Sequence, residues 1–131
     1  MNYDEEELID AANAVRVNAH APYSGYRVGA AVVDENGNVY AGCNVENASF
    51  PEGICAEANA IGSMVAAGGR HIVAIAVVGG ADDIEACTPC GGCRQRILEF
   101  ADRDTAVILV DAEQRIESCG IRELLPAAFR L

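Results

Sequence analysis

The hydrophobic run at residues 72–78 (IVAIAVV) constrains the fold of this chain more than any other feature. It contains no polar residue, and its five β-branched side chains favour a strand that is buried on both faces. Helical patterns precede and follow it at residues 55–67 and 91–101, and a second apolar run stands at residues 106–110. Strands that alternate with helices predict a three-layer α/β/α domain, with the sheet between two layers of helices.

The remaining predicted elements complete a mixed sheet of roughly five strands. They are a first helix capped by Asp4 and running to about Asn18, strands over residues 28–33 and 39–43, a short edge strand near Ile116, and a helical turn over residues 120–125. The Asn36-Gly37 pair between the two early strands is typical of a tight hairpin turn. A chain of 131 residues without linker or repeat has the size of one domain, so we expect a single domain over residues 1–131.

The charge of the chain excludes several classes of partner. Nine Lys and Arg residues face 20 Asp and Glu residues, which gives a net charge of −11, and the basic residues are scattered. Such a surface repels phosphate backbones, so we expect no nucleic-acid partner and no activity on polynucleotides. The apolar runs are shorter than the roughly 18–20 residues of a membrane crossing, and the acidic start at residues 1–7 is unlike a signal peptide. We therefore expect a cytoplasmic protein that does not bind membranes.

Six cysteines in a chain expected in the cytoplasm indicate metal ligands, catalytic groups or small buried side chains rather than disulfides. Cys55 stands at the start of the second predicted helix, and Cys90 and Cys93 stand at the start of the third. Helix N-termini carry a partial positive charge, which lowers cysteine pKa values and favours thiolates. Two helices on one sheet can point their N-termini at a common spot, so the three cysteines are the predicted ligands of one Zn²⁺. Cys43 and Cys119 are expected to be buried hydrophobic side chains.

Three protein ligands leave the fourth tetrahedral position of zinc to water, which is the usual arrangement of catalytic zinc. Glu57 follows Cys55 by two residues and is placed to exchange protons with that water. Two other interpretations stay open for the residues alone. Cys87 is a candidate fourth ligand of a closed structural site, because Cys87 and Cys90 form a C-x-x-C pair. Cys87, Cys90 and Cys93 also have a spacing found in iron–sulfur sites.

Six short motifs follow one another along the chain. They are residues 21–24 (APYS), 28–31 (VGAA), 43–48 (CNVENA), 55–57 (CAE), 89–95 (PCGGCRQ) and 123–126 (ELLP). In this order they resemble the cytidine deaminases of the small homotetrameric type, over nearly the whole chain. The resemblance implies one Zn²⁺ per subunit and hydrolytic deamination of cytidine and 2′-deoxycytidine in pyrimidine salvage. It also implies that Glu57 is the catalytic proton shuttle.

The resemblance assigns further residues to the substrate. Asn44 and Glu46 are implied to hydrogen-bond the 3′-hydroxyl of the ribose. For the residues taken alone, a loop cap and a solvated carboxylate are the alternative for this pair. Tyr26 stands where relatives carry a Phe that packs on the pyrimidine, and a Tyr ring is able to stack in the same way. For the residue taken alone, a place in the core is the alternative.

Backbone groups and a neighbouring subunit are also implied in binding. The backbone near Ala56 is implied to hold the base carbonyl, and the carbonyl of Thr88 is implied to hold the departing amine. Phe129 matches a C-terminal Phe that relatives lend to the site of a neighbouring subunit, and a plain anchor of the C-terminus is the alternative for this residue. The expected assembly is therefore a homotetramer, and the expected partner is a small pyrimidine nucleoside.

Two positions depart from the pattern of the family. Ala58 stands where three-cysteine relatives carry an Arg that hydrogen-bonds the zinc thiolates and moderates their charge. We therefore expect another donor, or the helix N-termini, to offset that charge in this chain. Phe50 replaces a Tyr and lacks its hydroxyl, which removes a possible ribose contact.

Two alternative functions follow from the same residues. The segment at residues 120–126 (GIRELLP) also resembles deaminases of modified cytosine nucleosides such as blasticidin S. Asn44 and Glu46 suit an unmodified ribose and favour the ordinary nucleosides. The second alternative is a zinc-stabilised binding module without turnover, which would lose its fold rather than an activity when the metal is removed.

Overall fold

The computed structural model describes residues 3–131 and contains one sheet with helices on both faces. The strands are β1 (Arg27–Asp34), β2 (Val39–Cys43), β3 (Ile72–Gly80), β4 (Ala106–Val110) and β5 (Ile116–Gly120). The helices are α1 (Glu5–Arg16), α2 (Ala56–Ala66), α3 (Gly91–Glu99) and α4 (Ile121–Leu124), and a 3₁₀ turn covers Phe50–Glu52. Residues 1 and 2, the start of the acidic segment that argued against a signal peptide, lie outside the described residues.

The sheet has the strand order β2-β1-β3-β4-β5. The β3–β4 pair is parallel, and the other three neighbouring pairs are antiparallel. A parallel pair needs a crossover connection, and α3 supplies it between the end of β3 and the start of β4. The prediction of a mixed five-stranded sheet is therefore confirmed.

Strand β3 lies at the centre of the sheet and is buried along its whole length. Its Ile75 and Val77 pack in a cluster with residues of α2 and α3, whereas Ala76 and Val78 pack in a second cluster with Leu8 of α1. Successive side chains of a strand point to opposite faces, so one strand serves both clusters. This arrangement confirms the three-layer α/β/α prediction.

Helix α1 begins where its capping residue predicts. The Asp4 carboxylate accepts hydrogen bonds from the backbone N–H groups of Glu6 and Glu7 at 2.9 and 3.3 Å. These bonds satisfy two of the donors that a helix N-terminus leaves without a helical partner. The helix ends at Arg16, two residues before the predicted end at Asn18, because the N–H of Asn18 bonds the carbonyl of Val15 in a tighter turn.

No helix within residues 3–131 combines the length and the apolar character that a membrane span requires.

Two glycines allow the helices to lie directly on the sheet. A Cβ on Gly29 of β1 would stand 1.9 Å from the carbonyl oxygen of Ala12 in α1. A Cβ on Gly42 of β2 would stand 2.4 Å from the backbone nitrogen of Ala60 in α2. Backbone, rather than a movable side chain, occupies both places, so these glycines set the distance between the layers.

We predict that Gly29→Ala destabilises the fold by about 1–3 kcal/mol or more, because the added methyl group forces α1 away from the sheet. Gly62 is the matched control, since it lies in α2 and a Cβ there meets no atom within 4 Å. Gly62→Ala should stabilise the fold by about 0.5–1 kcal/mol. Urea denaturation of both variants measures the two effects, and a Gly29→Ala protein as stable as the parent would show that α1 does not rest on Gly29.

Candidate active site

Three cysteines from two helices converge at one end of the sheet. Cys55 caps α2, Cys90 caps α3, and Cys93 lies in the first turn of α3. Their Sγ atoms all lie within 4.8 Å of one another. Tetrahedral zinc with Zn–S bonds of about 2.3 Å separates its sulfurs by about 3.8 Å. The cluster therefore has the donor type and the dimensions of a zinc site, as the sequence predicts.

Hydrogen bonds hold the two helix N-termini in place. The Asn59 side chain donates to the carbonyl of Cys43 at 2.8 Å and ties α2 to the end of β2. The Arg94 guanidinium donates to the carbonyl of Pro89 at 2.7 Å and to that of Leu124 at 2.8 Å. These contacts fix the loop that carries Cys90 and join α3 to α4.

The three thiols do not share one pKa direction. The backbone N–H of Cys93 donates to the Cys90 sulfur and lowers the pKa of Cys90, as expected at a helix N-terminus. Burial raises the pKa of Cys55 and of Cys93, and the negative charges around them raise it further. The general lowering predicted from helix position is therefore wrong for these two thiols. A bound dication replaces that repulsion with attraction and favours the thiolates.

Glu57 lies beside the cysteines in the first turn of α2 and is 4% exposed. Burial raises its pKa, while its own backbone N–H, the Cys93 thiol and the Arg96 guanidinium act in the opposite direction. A buried carboxyl group next to a metal-binding cluster has the position and the environment of a general acid–base residue.

A cleft of about 230 Å³ opens onto this group. Its lining residues are Tyr26, Val28, Asn44, Cys55, Ala56, Glu57, Cys87, Thr88 and Cys90. The structure thus brings Glu57 and two of the cysteines together with four of the six predicted substrate-binding residues. Val28 and Cys87 also line the cleft and were not predicted to do so. Tyr26 directly precedes β1 and Val28 is the second residue of that strand, so the closeness of Val28 to Tyr26 along the chain was the available signal.

Asn44 and Glu46, the predicted ribose pair, are both engaged within the chain. The Asn44 amide donates to the carbonyl of Tyr26 at 2.9 Å and accepts from the N–H of Val28 at 2.8 Å. The Glu46 carboxylate accepts from the backbone N–H groups of Tyr23 and Ser24, at 2.9 and 3.1 Å, and bonds the Ser24 hydroxyl. Glu46 is not among the residues that line the cleft, and its contacts are those of a loop cap. Its role towards ribose stays a prediction.

Phe129 lies away from the cleft of its own chain. Its side chain is 68% exposed, and its carbonyl accepts a hydrogen bond from the Gln95 side chain at 3.2 Å. It lines a surface depression on α3 together with Leu98 and Arg130. Its predicted role in a neighbouring subunit stays a prediction.

Among residues 3–131, the sulfurs that lie close enough together to bind one metal ion are those of Cys55, Cys90 and Cys93, and Cys87 is not one of them. It lies close to Tyr26 in the wall of the cleft instead. Burial raises the pKa of Cys87, and the Tyr26 hydroxyl acts in the opposite direction. The geometry therefore does not support a closed four-cysteine site or an iron–sulfur site that uses Cys87. Cys43 and Cys119 are half-buried rather than buried as predicted.

Arg96 is a site residue that the motifs did not identify. Its Nη1 donates to the Cys93 sulfur at 3.5 Å, so a donor to the thiolates exists although position 58 is Ala. The signal was its place three residues after Cys93, because residues i and i+3 share one face of a helix.

Known proteins resemble this chain over almost its full length. The family model described as the cytidine and deoxycytidylate deaminase zinc-binding region matches residues 2–110. The cytidine deaminases of Sporosarcina psychrophila and Halalkalibacterium halodurans are 41% and 42% identical to it over 126 residues. Each alignment spans 96% of this chain, and 91% and 94% of those proteins respectively. The crystal structure of cytidine deaminase from Burkholderia pseudomallei superimposes with a TM-score of 0.88 at 43% identity, covering 97% of this chain and 100% of that one.

Proposed function

Because the chain belongs to the zinc-dependent cytidine deaminase family, we propose that it hydrolyses the 4-amino group of cytidine and 2′-deoxycytidine. The products are ammonia and the corresponding uridine. One observation carries the proposal: a carboxyl group that is 4% exposed lies beside three sulfurs that are within 4.8 Å of one another. This combination is typical of a zinc-dependent nucleoside aminohydrolase, whereas a closed structural zinc site needs no carboxyl group beside its ligands.

The residues fit one zinc ion per subunit. Cys55, Cys90 and Cys93 would hold it, because thiolate sulfur is a preferred donor for Zn²⁺ and three protein ligands leave one position open. Both helix N-termini at the site place partial positive charge near the thiolates. When bound, zinc supplies the Lewis acidity that makes a water nucleophilic near neutral pH.

Glu57 carries both proton transfers in the proposed reaction. Its carboxylate takes the first proton from the attacking water and delivers it to N3 of the pyrimidine, which makes C4 more electrophilic. The water oxygen then bonds to C4. Glu57 takes the second proton and delivers it to the 4-amino nitrogen, so that the C4–N bond breaks and ammonia leaves. One water is consumed, and the oxygen remains on C4 as the carbonyl of uridine.

Other groups of the cleft orient the substrate in this proposal. The Tyr26 ring packs on the pyrimidine, a backbone N–H at Ala56 holds the base carbonyl, and the Thr88 carbonyl accepts from the departing amine. Asn44 retains one amide N–H beyond the one it gives to Tyr26, and this donor is available to the ribose. The observation that supports these roles is that all four residues line the same cleft.

The proposed assembly is a homotetramer in which Phe129 of one subunit closes the cleft of a neighbour. The cleft of one chain has a volume of about 230 Å³, which is below the roughly 300–1,000 Å³ of ordinary ligand pockets. A residue from another subunit that covers its open side would enclose additional volume and complete the pocket. Phe129 is 68% exposed and available for this contact. Light scattering that gives the mass of one 13.7 kDa chain would contradict the assembly. The proposed location is the cytoplasm, where thiols that serve as zinc ligands stay reduced.

The loss of cytidine absorbance on addition of the zinc-loaded protein tests the reaction directly. We expect conversion of cytidine and of 2′-deoxycytidine, with one ammonia released per nucleoside. Blasticidin S in a parallel assay tests the alternative substrate class. Conversion of blasticidin S alone would reassign the site to modified cytosine nucleosides. A zinc-loaded protein that converts none of the three would contradict the proposed function.

A further inference from the structure

The three thiolates of the zinc site carry more negative charge than one zinc ion neutralises. Three thiolates around one dication leave one negative charge, and the Glu57 carboxyl group lies beside them in the first turn of α2. Cys93 is fully buried, so water does little to screen the charge on this sulfur, whereas Cys55 is half-buried and Cys90 is exposed. Uncompensated charge away from water is costly, and it also makes the thiolates donate more strongly to the metal.

Arg96 is the cationic side chain that lies next to these thiolates. Its side chain folds back along α3, and Nη1 lies 3.5 Å from the Cys93 sulfur. The side chain passes over Gly92, where a Cβ would lie 3.4 Å from the same Nη1. The guanidinium also acts electrostatically on Glu57. It therefore faces the most buried of the three ligands.

The neighbouring cations are committed to other partners. The Arg94 guanidinium donates to the carbonyls of Pro89 and Leu124. Arg16 donates to the carbonyl of Gly80. Ala58, which follows Glu57 in α2, has an uncharged side chain. Within residues 3–131, Arg96 is the one charged side chain that donates a hydrogen bond to any of the three sulfurs.

We propose that Arg96 is a positioning residue that retains the zinc ion and tunes it by neutralising thiolate charge through Cys93. The inference rests on the proposed function only in that zinc occupies the three-cysteine site. The guanidinium donates to the Cys93 sulfur, holds that sulfur towards the metal and withdraws electron density from it. The metal then keeps the Lewis acidity that deamination requires.

The test measures zinc release and the ligand field, both independently of turnover. We expect Arg96→Ala to release zinc to a chromogenic chelator about 10–100 times faster than the parent, the usual scale for loss of a group that supports a metal ligand. The cost of leaving the buried negative charge without its counterion outweighs the stronger donation of the sulfur. In the cobalt-substituted protein, the thiolate-to-cobalt charge-transfer band should move to lower energy, because the Cys93 sulfur donates more strongly. Arg96→Lys should recover part of the retention, since it keeps the charge but not the planar fork.

Two further variants separate charge from packing. Arg103→Ala removes an exposed arginine from the loop before β4 and should leave zinc release and the cobalt spectrum unchanged. Arg96→Ala combined with Ala58→Arg returns a guanidinium to the site from α2 and should restore much of the zinc retention. A role of Arg96 in packing α3 would not be rescued from another helix.

The proposal fails if Arg96→Ala releases zinc at the parental rate and leaves the charge-transfer band unmoved. It also fails if the Ala58→Arg rescue leaves zinc release as fast as in Arg96→Ala. These readouts do not depend on the substrate. A parent protein that converts no nucleoside, together with fast zinc release from Arg96→Ala, would contradict the proposed function and support the role of Arg96.

Discussion

Replacing Glu57 by Gln is expected to lower turnover of cytidine by at least about 10²–10⁴-fold, the scale for losing an acid–base group. The amide keeps the size of the side chain but accepts no proton, so neither N3 nor the leaving amine receives one. Glu57 is buried beside Cys93, and no other carboxylate of residues 3–131 lines the cleft to take over its role. The loss should therefore fall on kcat.

Single-turnover assays of zinc-loaded Glu57→Gln measure this loss, with metal content determined on the same sample. Glu6→Gln is the matched control, because Glu6 is exposed on α1, on the opposite face of the sheet from α2. It should keep parental turnover. A near-parental rate for zinc-loaded Glu57→Gln would exclude the proposed proton shuttle.

Removal of zinc by a chelator is expected to abolish turnover while the fold persists. The two hydrophobic clusters that hold the helices to the sheet lie along β1, β3 and β4. Of the three ligands, Cys93 is the one that is fully buried against this core, and Cys55 and Cys90 stand at its edge. The apolar area that stabilises the fold thus remains buried without the metal.

Activity and far-ultraviolet circular dichroism of the same chelated sample distinguish the two outcomes. We expect activity to disappear, the spectrum to keep its α/β shape, and added zinc to restore turnover. Cooperative unfolding on chelation would instead favour the zinc-stabilised binding module, in which the metal serves the fold. Dialysis against buffer without chelator is the control.

Local patterns in the sequence were enough to predict most of the fold. The apolar run around Ile75 predicted the central strand, and the Asn36-Gly37 pair predicted the hairpin between β1 and β2. Asp4 predicted the start of α1 through the same hydrogen bonds that the structure shows. Propensity, turn chemistry and capping act within a few residues, so their effects can be read along the chain.

The metal centre was also predictable, because its geometry is built from helix starts. Cys55, Cys90 and Cys93 each lie in the cap or first turn of a helix, and two helices on one face of a sheet bring those turns together. Glu57 follows its cysteine by two residues, and local helix geometry places it beside the cluster. Spacing therefore predicted that the three cysteines and the carboxyl group lie together, whereas the structure was needed to separate Cys87 from them.

Side-chain contacts across the fold were decided by the tertiary structure alone. The sequence did not predict that Arg96 turns back to the Cys93 sulfur or that Cys87 lies close to Tyr26. It left Glu46 open between the ribose and the loop, and the structure shows its bonds to the loop at Ser24. It also predicted too much burial for Cys43 and Cys119, and a lowered pKa for thiols that desolvation raises. Hydrogen-bond partners and desolvation depend on which atoms meet in space, and residues far apart along the chain supply many of those atoms. The sequence by itself determined the α/β/α layers, the three-cysteine cluster and the carboxyl group beside it, whose causes are local, whereas the packed structure decided which distant side chains contact them.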